Sequence, residues 1–166
     1  MAHADSDLGR LLACQGRDGG WGYRGGSSWT EPTAYALLAL AAARHQGPSW
    51  RQGLEWLHRQ QRSDGGWPPH PGVPQSTWVT ALPLLLPAER PERWDTAKAI
   101  QWLLGQSGRE SGGWRRLRQR LLGVPAEELI SHAGWPFYPG TAAWVAPTAV
   151  TILALEKIQA RRAQRT

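Results

Sequence analysis

One cysteine, Cys14, is all the thiol this 166-residue chain carries, which excludes an internal disulfide framework and a multi-thiolate metal site. Its place beside Leu11 and Leu12, at the end of an apolar helical stretch, predicts a buried and inert thiol. No run approaches the roughly 20 consecutive apolar residues of a membrane span, and the N-terminus lacks the basic-then-apolar order of a signal peptide. Those two absences set the expectation of a cytoplasmic protein. Acidic residues are also few, 13 against 19 lysines and arginines, and much of the resulting +6 charge sits in Arg115 to Arg120 and Lys157 to Arg165. No recognisable nucleic-acid module accompanies it, so nucleic acid is not an expected partner.

What the chain has in quantity is tryptophan, 11 residues, and glycine, 19. A Gly-Gly-Trp signature stands at Gly19 to Trp21, Gly65 to Trp67 and Gly112 to Trp114, so its tryptophans recur after 46 and 47 residues. A fixed period of that length marks structural repeats. Gln15 and Asp18 precede the first copy as Gln61 and Asp64 precede the second, whereas the third is looser, with Ser111 in the aspartate position. A second block follows, as Trp29 to Ala34 and again as Trp144 to Ala149, and the middle copy keeps only Thr80 and Ala81 of it. With 41% apolar residues, one folded domain over 1–160 is expected. Its repeats fall at about 8–48, 49–92 and 93–158, with an insertion at 115–137 and a basic tail at 161–166.

Between signatures the pattern is helical. Thr33 to Arg44 is almost wholly Ala, Leu and Tyr, with Thr30, Glu31 and Pro32 as N-terminal signals and His45 to Pro48 as a stop. Ser49 is expected to cap the next helix, in which Leu54, Leu57 and Gln61 share a face. The pattern recurs in Thr77 to Leu86, where Pro83 is expected to kink the helix, and in Arg93 to Gln106. A last helix is expected from about Val145 to Ile158. Each repeat is thus a helical hairpin whose first helix, apolar nearly all round, is buried and whose second borders solvent. Glycine suits the left-handed closing turn of a helix, a nearby glutamine amide can bond free backbone groups, and an indole packs across the junction. The signature is therefore expected to be a staple, carried by Gln15, Trp21, Gln61, Trp67 and Trp114.

The residues Gly53, Trp56, Leu57, Gln61, Gly65 and Trp67 resemble the QW motif of terpenoid cyclases. Lys98, Ala99, Trp102, Leu103, Gly112 and Trp114 match its ends, with Ser107 where glutamine belongs, and the first copy has Arg10 in place of the aromatic. The resemblance covers nearly the whole chain and is nearest to squalene cyclase and prenyltransferase repeat proteins, through Gly134 to Pro136 and Trp144 to Leu155. It implies an all-α fold, an α/α toroid, in which QW elements are structural. It also implies an isoprenoid lipid as substrate or ligand, with Trp29, Trp78 and Trp144 meeting cationic intermediates through their ring faces.

The acids and metals of that chemistry are not evident. Asp5, Asp7, Asp18, Asp64 and Asp95 form no DxDD element, which class II cyclases use to protonate an alkene. Neither the aspartate-rich diphosphate site of class I synthases nor the Asp, Cys and His zinc set of the prenyltransferases is matched, and His45, His58, His70 and His132 lack paired spacing. No cofactor or metal is expected. Glu31 is the one carboxylate that breaks the repeat symmetry, since Ala146 stands in its place in the third copy. It reads either as first-turn charge meeting the helix dipole or as a catalytic carboxylate at a cavity mouth. The insertion, with Arg115, Arg116, Arg118 and Arg120 beside Leu117, Leu121 and Leu122, reads as a basic amphipathic helix on the rim or on an anionic membrane, a peripheral contact at the inner face.

Closed toroids of the resembled family contain about six hairpins, roughly 280 residues at this period. Three hairpins make half a ring, so either a homodimer or a second half-toroid is expected to complete it. Two functions stand side by side: a cyclase- or prenyltransferase-like protein acting on or binding an isoprenoid, and a non-catalytic lipid-binding or protein-interaction scaffold of the same fold.

Overall fold

A computed structural model describes residues 2–87, 94–106 and 134–164, and among them every regular element is helical, so the all-α class expected from the sequence is the class observed. The elements are α1 Ala2–Ala13, α2 Thr30–Ala42, α3 Pro48–Gln60, α4 Ala81–Leu84, α5 Thr96–Leu104 and α6 Val145–Ala163, with short 3-10 turns at Tyr23–Gly25 and Trp78–Thr80. Helix α2 begins with Glu31 and Pro32 in its first turn, where a negative charge meets the free N–H groups and proline gives up none that a helix needs. It stops at Arg44, which takes a left-handed conformation (φ 54°). The His45 amide then reaches back to the Leu40 carbonyl (2.8 Å) and Arg44 N–H to Ala41 (3.0 Å), the closing bonds of a Schellman motif.

Three sequence expectations shift. Gly47 caps α3 and Pro48 opens it, so Ser49 lies inside the helix rather than at its cap. The helix expected over 77–86 is a 3-10 turn followed by four α-helical residues, because Pro83 has no N–H for the ladder and the chain continues through tighter bonds to Leu85 and Leu86. Cys14 is exposed, not buried; it follows the last turn of α1, beyond the half-buried Leu11 and Leu12.

The first helices of successive hairpins pack side by side, α2 on α4 and α4 on α6, and α3 packs on α2. Their shared core is fully buried at Leu37, Leu40, Leu57, Trp67, Leu82, Leu84 and Leu103. The Gly-Gly-Trp segments connect the two helices of different layers by one recurring set of bonds. Trp21 N–H donates to Thr33 Oγ1 (2.8 Å) and its indole to the Leu11 carbonyl (2.8 Å). Trp67 does the same with Thr80 (2.9 Å) and Leu57 (2.8 Å). Gln15 Nε2 spans the Gly19 and Ser49 carbonyls (2.8 and 2.9 Å), as Gln61 spans Gly65 and Asp95 (3.0 and 3.1 Å). Asp18 and Asp64 close the turns by accepting from Gly20 and Ser28, and from Gly66 and Ser76, respectively.

In the third copy this bond set belongs to Trp135. Its N–H meets Thr148 Oγ1 (2.9 Å) and its indole meets the Leu103 carbonyl (2.7 Å). Indole and acceptor are 10 residues apart in the first two copies and 32 in the third, so 22 residues are inserted before this tryptophan. Trp114 and most of the 115–137 segment lie outside the described residues.

Register also exposes a difference between the hairpins. Aligned on Thr33, Thr80 and Thr148, the α6 residues Val145, Ala149 and Ile152 correspond to Thr30, Ala34 and Leu37 and to Thr77, Ala81 and Leu84, all of them buried. On α6 the same positions are open: Val145 is 84% and Ile152 48% exposed, with Leu153 at 59% beside them. At the other edge, α1 carries exposed Asp7 and Arg10 where α3 has buried Gly53 and Trp56. One edge of the repeat stack is polar and the other apolar.

Candidate functional site

The connections that follow the staples bring three helix starts to one end of the molecule. Thr30 N–H bonds the Pro69 carbonyl (3.0 Å) and Trp78 N–H the Phe137 carbonyl (3.4 Å). Each bond ties the entrance of one first-layer helix to the residue two places beyond the next staple tryptophan. Proline and aromatic residues fill those places, so the stitching surrounds a hollow. The resulting cavity, about 460 Å³, is bounded by Tyr23, Trp29, Glu31 and Tyr35 on one side and by Trp78, Phe137 and Tyr138 on the other, with Pro69, Val79, Ala146 and Val150 completing the wall.

The rings form two chains of contacts, each with one edge-on and one tilted pair. Tyr23 meets Trp29 edge-on at 5.7 Å between centroids, and Trp29 lies 4.8 Å from His70. Across the cavity Trp78 meets Phe137 at 5.5 Å and Phe137 meets Trp144 at 6.0 Å. Such geometries match positive ring edges to negative faces and hold the walls in fixed orientation. His70 accepts the Gly72 N–H at Nδ1 (3.1 Å) and is 3.0 Å from Ser27 Oγ at Nε2.

Glu31 is the one charged side chain among the described residues of the wall. Its Oε2 accepts a short bond from Tyr23 Oη (2.6 Å). Burial, and then the bond and negative charge of Glu31, push the Tyr23 phenol far above its usual pKa. Tyr35 is raised for the same two reasons, burial first and the Glu31 charge second. Both phenols therefore stay protonated across the physiological range, as hydroxyl donors.

Of the residues singled out in the sequence, Trp29, Trp78 and Glu31 reach this cavity. Trp144 is 60% exposed and joins the wall only through Phe137. The staple residues Trp21 and Trp67 are buried away from it, with their indole protons committed to backbone carbonyls. Sequence reasoning passed over Tyr23, Tyr35, Phe137 and Tyr138. Tyr23 stands two residues beyond Trp21, as Phe137 stands two beyond Trp135, and that offset was the available signal.

No group of three or more His, Cys, Asp or Glu side chains among the described residues is placed to hold a metal ion. His45, His58 and His70 stand apart on separate elements, and His132 lies outside the described residues. A second hollow of about 390 Å³ lies between α3 and the turn at Arg17 to Gly19, walled by Arg17, Arg51 and Arg59 against Asp18 and Glu55. Its charges largely cancel one another, and it offers little apolar surface. No helix among the described residues is long and apolar enough to cross a membrane. No protein-family model matches the chain, and no curated protein matches it.

Proposed function

We propose that the protein binds an isoprenoid or similarly apolar ligand in the aromatic cavity at the helix starts, as a half-ring relative of the terpenoid cyclase and prenyltransferase type. The cavity itself carries the reading. Seven of its wall residues are aromatic or acidic and the rest are aliphatic or proline, a lining that suits a hydrocarbon chain with one polar end. The repeated QW-like staples support the toroid arrangement, since the same bond set recurs at Trp21, Trp67 and Trp135. For an enzymatic version, Glu31 is the carboxylate in place on the described wall, oriented by the hydroxyl of Tyr23.

The test is retention of ligand. Incubation with squalene and farnesol, followed by desalting and mass spectrometry of bound lipid, is expected to recover at least one of them from the wild type. Filling the cavity with Val150→Trp is expected to abolish recovery. Absence of retained lipid and of any product from wild-type protein would overturn the proposal.

A second reading, an interaction scaffold, is favoured by the open face of α6. Val145, Ile152 and Leu153 are exposed at positions that a following hairpin covers elsewhere in the chain. A second half-toroid, from another copy or from further sequence, would bury them. Both readings can hold at once, because the cavity and this face lie on neighbouring sides of α6.

A further inference from the structure

We infer that the polar end of the ligand is an organic cation, a quaternary or substituted ammonium group held between the Glu31 carboxylate and the ring faces of Trp29, Tyr23 and Tyr35. This inference rests on the proposal that the aromatic cavity is a ligand site, and it names the chemistry that the site selects. Three observations carry it.

The first is charge. Glu31 is the one ionised group among the described wall residues, and no lysine or arginine among them faces it. The nearby imidazole of His70 is engaged by the Gly72 N–H and by Ser27 Oγ. A carboxylate or diphosphate ligand would meet Glu31 with no lysine or arginine among the described wall residues to offset it. The helix starts do little to reverse this, since Glu31 already opposes the α2 dipole, and Pro32 and Pro147 remove an N–H donor from each entrance.

The second is ring density. Tyr23 and Trp29 pack edge-on at 5.7 Å, and Tyr35 is a third ring lining the same cavity. Aromatic faces attract a cation through the ring quadrupole, and quaternary ammonium groups are the ligands such cages take.

The third is free hydrogen-bonding capacity. Among the described residues one Glu31 oxygen is bonded, by Tyr23, which leaves Oε1 available to a cation. A methylated ammonium needs no further donor or acceptor, which fits a wall of rings.

Three probes of similar shape and different charge test the inference: choline, the neutral 3,3-dimethylbutanol and the anionic 3,3-dimethylbutanoate, each titrated against wild-type protein by calorimetry. Choline is expected to bind at least about 10-fold more tightly than the alcohol, with the acid weakest. Glu31→Gln, checked for unchanged helix content, is expected to bring choline down to the level of the alcohol without weakening the alcohol. Equal or tighter binding of the alcohol would overturn the cation while leaving the cavity reading in place. Binding of none of the three would overturn the cation, and the lipid-retention experiment then decides the cavity separately. Phosphatidylcholine vesicles distinguish the source: flotation that Glu31→Gln abolishes assigns a membrane headgroup, and choline binding without flotation assigns a free ligand.

Discussion

Gly65 and Gly140 share a positive φ, 88° and 78°, but not an environment. A Cβ on Gly65 would lie 2.5 Å from the Lys98 Cβ and 2.6 Å from its carbonyl carbon, whereas a Cβ on Gly140 meets nothing within 4 Å. Gly140→Ala should cost about 1 kcal/mol, the left-handed penalty alone. Gly65→Ala should cost about 2–4 kcal/mol, because α5 must also shift; urea denaturation of both variants measures the difference. Asp18 adds a pH dependence. Burial works to raise its pKa, but the hydrogen bonds from Ser28, the Gly20 amide and the Trp56 indole outweigh it and hold the carboxyl below its usual value. A depressed folded-state pKa gives stability that is full above the unfolded value near 4 and is lost as pH falls through the folded one. Thermal melts should therefore show wild type losing more stability than Asp18→Asn between pH 6 and pH 3. The repeat of Gly-Gly and Asp at a fixed offset made a turn legible but not its place: Gly19 and Gly65 take left-handed conformations in separate turns beyond Ala13 and Gln60, rather than closing the last turns of those helices. The exposure of Cys14 was not legible, since helical periodicity places Leu11 and Leu12 but says nothing of a residue just past the helix end.

Among the elements, the staple is defined by its bonds more than by its letters. Trp114 continues the Gly-Gly-Trp spelling, yet Trp135 makes the two bonds that Trp21 and Trp67 make. Gly134 and Thr148 were the readable clues, since a glycine precedes each staple tryptophan and a threonine follows 12 or 13 residues later. A 22-residue insertion displaced the spacing on which the period count relied. Trp135→Ala should cost about 3–5 kcal/mol, in the range expected for Trp67→Ala. Thr80→Val, which leaves the buried Trp67 N–H without its acceptor, should cost about 1–3 kcal/mol. Chemical denaturation checks all three, and a loss under 1 kcal/mol at Trp135 would remove it from the staple set. At the end of α2, Arg44→Gly should stabilise by about 0.5–1 kcal/mol, because glycine lacks the Cβ that strains the left-handed conformation there.

For the whole molecule, the two edges of the repeat stack differ, polar at α1 and apolar at α6. Asp7 and Arg10 cap the α1 edge, so packing of a further hairpin is expected on α6 alone. A three-hairpin stack with Val145, Ile152 and Leu153 in water should bind an apolar-surface dye or self-associate. Ile152→Ser with Leu153→Ser should reduce either signal in light scattering and dye fluorescence, and a monodisperse, dye-silent wild type would argue against an uncovered face. The hairpin plan and its apolar first helices were visible in the sequence, because Ala and Leu persist through whole turns. The cavity was only half visible. Trp29, Trp78 and Glu31 sit at repeat positions, while Tyr23, Tyr35, Phe137 and Tyr138 converge with them only through stitching bonds between hairpins.

The division of tryptophans into staples and cavity walls is open to one direct measurement, the indole N–H resonances of the folded protein titrated with geraniol. The indole signals of Trp29 and Trp78 are predicted to shift saturably, while those of Trp21 and Trp67, bonded to Leu11 and Leu57, stay in place. Saturable shifts at Trp21 and Trp67 with none at Trp29 and Trp78, or no saturable shift at all, would contradict the assignment of the cavity as the binding site.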